Sequence, residues 1–472
     1  MNGQEDYPKN TGDVVHGPLW SGHRTFLSID CEQRKKERHH GQYTIPETPS
    51  KTPVDSCWLL VLTWCNVFLA MCASLQGPFF TPAGAQRGLS SFQTAVVFGC
   101  FRAGVVLGAC ISRALMTRCY PGTIFNAGLI VYGVTSSAFG GVFFMPEVKD
   151  VFWGTTAAIQ AVAGLGYAFY VTATLSTLLN GYQAAITAVI VSTEFAAGLG
   201  GAIGPIAGFH LIQVWKYPLP YFVMGGCLLF GIIIRYALHS ETDILRTTTD
   251  RLTCSEAMEF LGHIPLWFDI LNASFAIGTL AYLELALTPH LVNHGFTFHQ
   301  TCYSFAVLYG GYGLGVLVFG VIVALLGRES VLAAVAQILS VVAFLLIDHH
   351  KLLNLDARRD LFPRRTLWTM RLGIGLAGGA AAGQFLPALS HAVQSGAWRG
   401  YPCNLWATST IICSLLSVAY LGGVVTSLFS GIVIDSLGTY TAFTAVLIAQ
   451  GIWGIVRAIY LVAEICVKGS DT

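Results

Sequence analysis

Long apolar stretches broken by short polar ones run through most of this chain. Twelve of them lie at Cys57–Phe80, Gln93–Leu115, Gly122–Met145, Val151–Thr174, Ala185–Ile212, Leu219–Leu238, Pro265–Val292, His299–Leu326, Ser330–Ile347, Leu367–His391, Leu405–Ile434 and Tyr440–Ile465. Each is long enough to cross a hydrocarbon core, which takes ~20 residues of helix. They fall into two sets of six, and the even count leaves both termini on one side. Six plus six predicts two structural repeats facing each other across a midplane cavity. The expected fold is an all-α integral membrane protein with twelve transmembrane helices in two pseudo-symmetric six-helix bundles. The division predicts a disordered cytosolic tail (1–56), an N-terminal bundle (57–238), a cytosolic linker (239–264), a C-terminal bundle (265–465) and a cytosolic C-terminal tail (466–472).

Composition agrees. Hydrophobic residues make up 54% of the 472 and charged residues 11%, less than half the ~25% usual in soluble proteins. So few charges cannot solvate a globule of this size, but they suffice for tails and loops. The net charge of +1 gives no reason to expect a nucleic-acid partner. Many of the 51 glycines sit inside the stretches, where small residues let helices approach closely. The thirteen cysteines form no C-x-x-C pair, and most lie within or beside spans. Residues 1–56 carry the basic cluster Arg34-Lys35-Lys36 and Arg38 but no apolar core of signal-peptide length, so the first span is the expected insertion signal. With the N-terminus inside, fifteen Lys and Arg fall on the cytosolic side and eight on the other, five of those eight in the loop 348–366. That bias supports an inside N-terminus.

A charge at the bilayer centre costs about 2.5–3.5 kcal/mol on insertion scales, so each one asks for an explanation. Glu284 lies deep in span 7 and Glu194 in span 5. Arg102 lies in span 2, and Arg457 lies late in span 12. Asp269 and Asp435 sit nearer span ends, where water is expected to reach them. Glu284 reads either as a carboxylate that exchanges a proton or holds a cationic substrate, or as a structural acid paired with Arg102 or held by a hydroxyl. Glu194 is a second candidate for proton coupling, and Arg102 a candidate charge partner for either acid. Tyr167, Phe169 and Tyr170 in span 4, Tyr282 in span 7, and Tyr309 and Tyr312 in span 8 are aromatic faces near the midplane. An amine resting on such a face gains up to ~2 kcal/mol when desolvated. Tyr282 ranks first, two residues from Glu284; Tyr167, Tyr170 and Tyr309 complete the candidate substrate set. Intramembrane His210 and His391 read as satisfied hydrogen-bonding groups.

Small residues and prolines form the second class of signal. Span 5 carries Gly198, Gly200, Gly201, Gly204, Pro205 and Gly208 at helical spacing, a face suited to tight packing and bending. Pro78 in span 1 and Pro289 in span 7 are further hinge candidates. Span 11 repeats the start of the span 5 pattern at Gly422-Gly423. Span 10 has its own small-residue run from Gly373 to Gly383, closed by Pro387.

The strings Gly77-Pro78-Phe79-Phe80 and Phe98-Gly99-Cys100-Phe101, the Ser192–Gly208 segment and Leu283-Glu284 with Ala286-Leu287 resemble the vesicular amine transporter family of the major facilitator superfamily. The likeness is greatest to its vesicular polyamine transporter branch and runs from about Cys57 to Ile465. It implies proton-coupled antiport of organic cations into acidic vesicles, with Glu284 contacting substrate and Glu194 as the helix 5 acid. Other family groups are missing. Leu69 stands at the helix 1 aspartate, a position near Leu416 at the helix 11 aspartate, and Gln160 at the helix 4 arginine. Ala163 stands where the polyamine branch has aspartate, Leu285 replaces the motif proline, and Thr117-Arg118-Cys119 stands at the gating loop. These losses argue against biogenic monoamines and leave proton coupling to be tested.

The reading is a secondary active transporter, not an enzyme, working as a monomer in the lipid bilayer on a small organic cation such as a polyamine, with the proton as second partner. No cofactor or metal is expected. A vesicle or other endomembrane is expected, with the plasma membrane as the alternative. The rivals are a divergent twelve-helix carrier, sensor or scaffold without proton coupling and a membrane-embedded acyltransferase using His391.

Overall fold

The computed structural model describes residues 56–146, 148–182, 185–237, 262–348, 363–398 and 405–470. The expected N-terminal tail, most of the inter-bundle linker and most of the basic loop 348–366 lie outside the described residues. Among the described residues, twelve helices are long and apolar enough to cross a membrane. They are α1 (Leu59–Gln86), α2 (Ser91–Met116), α3 (Pro121–Phe144), α4 (Lys149–Asn180), α5 (Ile186–Trp215) and α6 (Pro218–Ala237) in the first half. The second half holds α7 (Ile264–Asn293), α8 (Phe298–Leu326), α9 (Glu329–Asp348), α10 (Trp368–Ser395), α11 (Ala407–Leu437) and α12 (Thr439–Glu464).

Local sequence sets several boundaries. Ser90 accepts from the backbone N–H of Gln93 while the Gln93 side chain accepts from the N–H of Ser90, a reciprocal cap that starts α2. Thr297 and Gln300 do the same for α8, the helix six places later. Gly327, with φ +56°, closes α8 in the left-handed region that suits glycine. Pro78 and Pro82 each remove a backbone donor from α1, and residues Gln76–Phe80 adopt a π-helical turn there. Several expected ends move, those of α4 and α12 among them. The helix of α4 continues to Gly181, beyond Thr174, and that of α12 continues to Ser470, where a tail from 466 is expected. In the latter, Ile465-Cys466-Val467 extend the apolar series with no breaker before Gly469.

The two halves pack alike. In the first six helices, α2 packs on α4, α4 on α3, α5 on α1 and α6 on α3. In the last six, α8 packs on α10, α10 on α9, α11 on α7 and α12 on α9. Adding six to each helix number converts the first set into the second. The same shift relates the contacts between halves, α11 on α2 and α5 on α8. Glycine makes these approaches close: a Cβ at Gly104 or Gly164 would collide with the opposing backbone in the α2–α4 pair, and one at Gly311 or Gly315 with that in the α8–α10 pair.

Gly200, Gly204 and Gly208 form one row of α5 against α1, where a Cβ would meet Val67, Met71 and Leu75 respectively. Gly198 and Gly201 face α8 instead, against Gly313 and the Tyr309 ring. The small residues of α5 therefore serve two neighbours, one in each bundle. Pro205 sits inside α5 without ending it.

The C-terminal bundle carries a buried amide network. Gln384 donates to Gln337 (2.7 Å), Gln337 to Gln450 (2.6 Å) and Gln450 to Thr279 (2.6 Å), tying α10, α9, α12 and α7 together. Asp269 belongs to this interior too. It is 3% exposed rather than water-facing, because His391 of α10 and Arg457 of α12 turn in to meet it.

Candidate functional site

Where the halves meet, a cavity opens among α1, α2, α4 and α5 of one bundle and α7, α8, α10 and α11 of the other. Each contributing helix again has its partner six places on. Most of the wall is apolar or aromatic: Leu69, Ala70 and Ala73 from α1, Phe101 from α2, Val171 and Leu175 from α4, Ile277 and Leu280 from α7, Phe385 from α10 and Leu416 from α11. Among the described residues its ionisable groups are Arg102, Glu194 and Glu284, accompanied by Tyr167, Tyr309, Tyr312 and Tyr420.

Glu284 projects from α7 and is held on both oxygens. Oε1 accepts from the Tyr309 hydroxyl at 2.7 Å, and Oε2 accepts from Nη2 of Arg102 across the bundle interface. Arg102 has supports of its own: Nη1 donates to the Phe98 carbonyl (3.1 Å) and to the Ser427 hydroxyl of α11 (3.2 Å). Gly423 makes room for it, since a Cβ there would lie 2.8 Å from Arg102 Cδ. The guanidinium thus stays anchored if Glu284 turns to another cation. Charge-assisted bonds of this kind are roughly twice as strong as neutral ones.

Glu194 comes from α5 in the other bundle and accepts from the Tyr312 hydroxyl at 2.7 Å. Tyr309 and Tyr312 are three residues apart on α8, so one helical face serves both acids. Tyr167 and Tyr420 meet at a tilt across the interface, ring centroids 5.8 Å apart and planes 53° from parallel. Two carboxylates against one guanidinium leave the cavity one positive charge short when both acids are ionised.

The remaining candidates divide. Glu284, Glu194, Arg102, Tyr167 and Tyr309 are brought together. Tyr282 is not: two positions from Glu284 is more than half a turn of helix, so its ring points away and packs on Phe344 and Phe443 inside the C-terminal bundle. Tyr170 is also excluded, its hydroxyl donating to Asn66 at 2.9 Å and its ring lying on Phe125. Pro78 and Pro289 lie toward one end of the cavity, where Thr288 donates to the Gly77 carbonyl between bundles at 3.0 Å. The sequence carried no signal for Tyr420 or Ser427, polar tips in an apolar run whose phase alone directs them inward.

Residues 62–353, more than half the chain, match the family model described as Major Facilitator Superfamily. The chain belongs to the Major Facilitator Superfamily. Within that superfamily it is 27% identical over 187 residues to the human "MFS-type transporter SLC18B1", covering 39% of this chain and 41% of that protein. The mouse protein of the same name is 27% identical over 168 residues, 36% of each chain. These matches span less than half the length of the curated relatives. The structure of the human organic anion transporter MFSD10 (TETRAN) superposes with a TM-score of 0.62, covering 86% of this chain and all of that one. At 16% identity this likeness shows the fold alone. Superfamily membership puts the chain among multi-pass membrane transporters and removes the acyltransferase alternative.

Proposed function

We propose that this protein is a secondary transporter exchanging a small organic cation, with polyamines as the leading class, for protons. The single observation that carries the reading is the pair of carboxylates, Glu284 and Glu194, facing one interbundle cavity from opposite bundles with Arg102 alone among the described residues to balance them. A cation or a proton can supply the missing positive charge, and the two then compete for one place. Competition of that kind couples their movements, because the cavity is neutral only when one of them is present. Tyrosine faces around the acids suit an alkylammonium group, which gains from ring quadrupoles as well as from charge. An organic anion would meet two carboxylates for each guanidinium, which argues against that cargo here.

The resemblance of the Ser192–Gly208 and Leu283-Glu284 strings to the vesicular amine transporter family supports the amine reading, and the partial likeness to the MFS-type transporter SLC18B1 supports transport. Fifteen basic residues on one side against eight on the other support a cytosolic N-terminus. We place the protein in a vesicle or other endomembrane, acting as a monomer. The test is uptake of a labelled polyamine panel into proteoliposomes with and without an imposed pH gradient. Gradient-driven uptake lost in Glu284→Gln supports the proposal. Uptake that ignores the gradient removes proton coupling, and absence of uptake across the panel removes the cargo class.

A further inference from the structure

A second set of ionisable side chains lies in the C-terminal bundle and takes no part in the cavity. His391 Nδ1 of α10 and Asp269 Oδ2 of α7 are 2.5 Å apart, and Arg457 Nη2 of α12 lies 4.0 Å from the other Asp269 oxygen. Asp269 and Arg457 side chains are 5% and 2% exposed, whereas that of His391 is 22% exposed. The pair therefore has a buried inner edge and a more accessible outer one. Glu329 at the start of α9 and Glu464 at the end of α12 also act on it electrostatically. Among the described residues, three carboxylates act on this set against one guanidinium, and histidine is the member whose ordinary pKa falls in the physiological range.

The neighbouring residues give this set a mechanical consequence. Ser390, next to His391, meets Thr187 of α5 at 3.1 Å between their hydroxyl oxygens. Gln394, one turn on, donates to Ser390 at 2.9 Å and to Thr187 at 3.5 Å. This is a contact between bundles, at the end where α5 and α7 begin and α10 finishes. One turn of α10 thus holds the titratable pair on one side and the closing contact on another.

We propose that His391 and Asp269 form a proton-binding site behind this gate, separate from the cargo cavity, and that the bound proton keeps the gate shut. With the proton on His391, the imidazolium and the Asp269 carboxylate attract each other and seat α10 on α7. Ser390 and Gln394 are then held against Thr187. Loss of the proton toward water at the exposed edge of His391 weakens that seat and frees α10 to part from α5. The proton leaves on the side toward which the protein opens. The site does not depend on what the cavity carries, only on alternating opening of the two bundles.

The test reads the gate directly and needs no cargo. Spin labels go on Ala188 of α5 and Leu325 of α8, both exposed at this end. A non-cysteine handle leaves the thirteen native cysteines in place. Distance distributions of the full-length protein in nanodiscs are compared at about pH 5 and about pH 8, the interval over which histidine changes charge. The label pair should be closer in acid, and His391→Gln should remove the pH response. Asp269→Asn, which leaves the imidazole without its counter-charge, should remove or displace it, and serves if His391→Gln fails to fold. A wild-type distance that ignores pH, or a variant that keeps the wild-type response and midpoint, overturns the proposal. Because transport is not measured, neither result bears on whether polyamines are the cargo.

Discussion

Tyr312 of α8 donates its hydroxyl to Glu194 of α5 at 2.7 Å, and with that bond one bundle holds the other's carboxylate. Tyr309, on the same face of α8, donates to Glu284 within its own bundle at 2.7 Å. The two tyrosines therefore differ in what their loss does. Hydrogen bonds to charged groups contribute about 1.5–3 kcal/mol. Tyr312→Phe removes a bond that must break each time the bundles part, so cargo affinity and the exchange rate should both change. Tyr309→Phe removes a bond made within one bundle and keeps the ring against Gly201. We expect Tyr312→Phe to alter maximal uptake about tenfold and Tyr309→Phe to act mainly on half-saturation, read from concentration-dependent uptake in proteoliposomes.

The Arg102–Glu284 pair allows a cleaner energetic test. Removing one partner of a buried ion pair costs about 3–5 kcal/mol, because the other is left uncompensated. Arg102→Gln should lower thermal stability strongly by leaving two carboxylates with no cation. Glu284→Gln should lower it less, since Arg102 keeps Phe98, Ser427 and the field of Glu194. The double variant should be more stable than Arg102→Gln alone. A double variant no more stable than that single one would show that the two side chains do not balance each other.

How far the sequence disclosed this arrangement depends on the kind of signal. The helices were legible because an apolar run of membrane-spanning length has almost no alternative conformation in lipid. Glu284, Glu194 and Arg102 were legible because a charge in such a run stands out whatever its neighbours. Tyr282 shows where this fails. Its closeness to Glu284 in sequence suggested a shared site, but the helical phase that turns it toward Phe443 cannot be fixed without knowing which face each helix buries. Asp269 fails for a second reason: its partner His391 is 122 residues away on another helix, and only packing brings them together. The glycine rows of α5 were visible as rows, but not that they serve α1 and α8 on different faces.

Those rows give a prediction about folding. A side chain at Gly200 would overlap the Val67 backbone, and one at Gly204 would press on Ser74 and Met71. Overpacking of this kind costs typically 1–3 kcal/mol. Gly200→Val and Gly204→Leu should reduce expression and lower the unfolding temperature in detergent. Gly226 of α6 has no atom within 4 Å of its ideal Cβ, so Gly226→Ala should leave both measurements unchanged. Equal effects at the three positions would mean that glycine content, not contact with α1, sets stability.

Asp435 makes the last prediction. It sits at the end of α11, and its two oxygens each accept a backbone N–H at 2.9 Å, from Ser91 and Phe92 at the start of α2. Those donors have no partner within their own helix, and the positive end of α2 favours a carboxylate there. The bonds join opposite bundles at the end of the molecule away from Thr187 and Ser390, so they oppose opening at that end. Asp435→Ala removes both acceptors, and each 1.4 kcal/mol lost shifts the open-to-closed ratio about tenfold. Ala73 lines the cavity, and Ala73→Cys gives a reporter whose labelling by a membrane-impermeant thiol reagent, above the native background, measures access from that face. Labelling should quicken about tenfold in Asp435→Ala and less in Asp435→Asn, which keeps one acceptor oxygen. The gate at the other end should be unaffected, so access from the opposite face should not rise. Labelling that quickens from both faces would mean the variant loosens the fold as a whole, and Asp435 would then be a helix cap rather than a clamp between bundles.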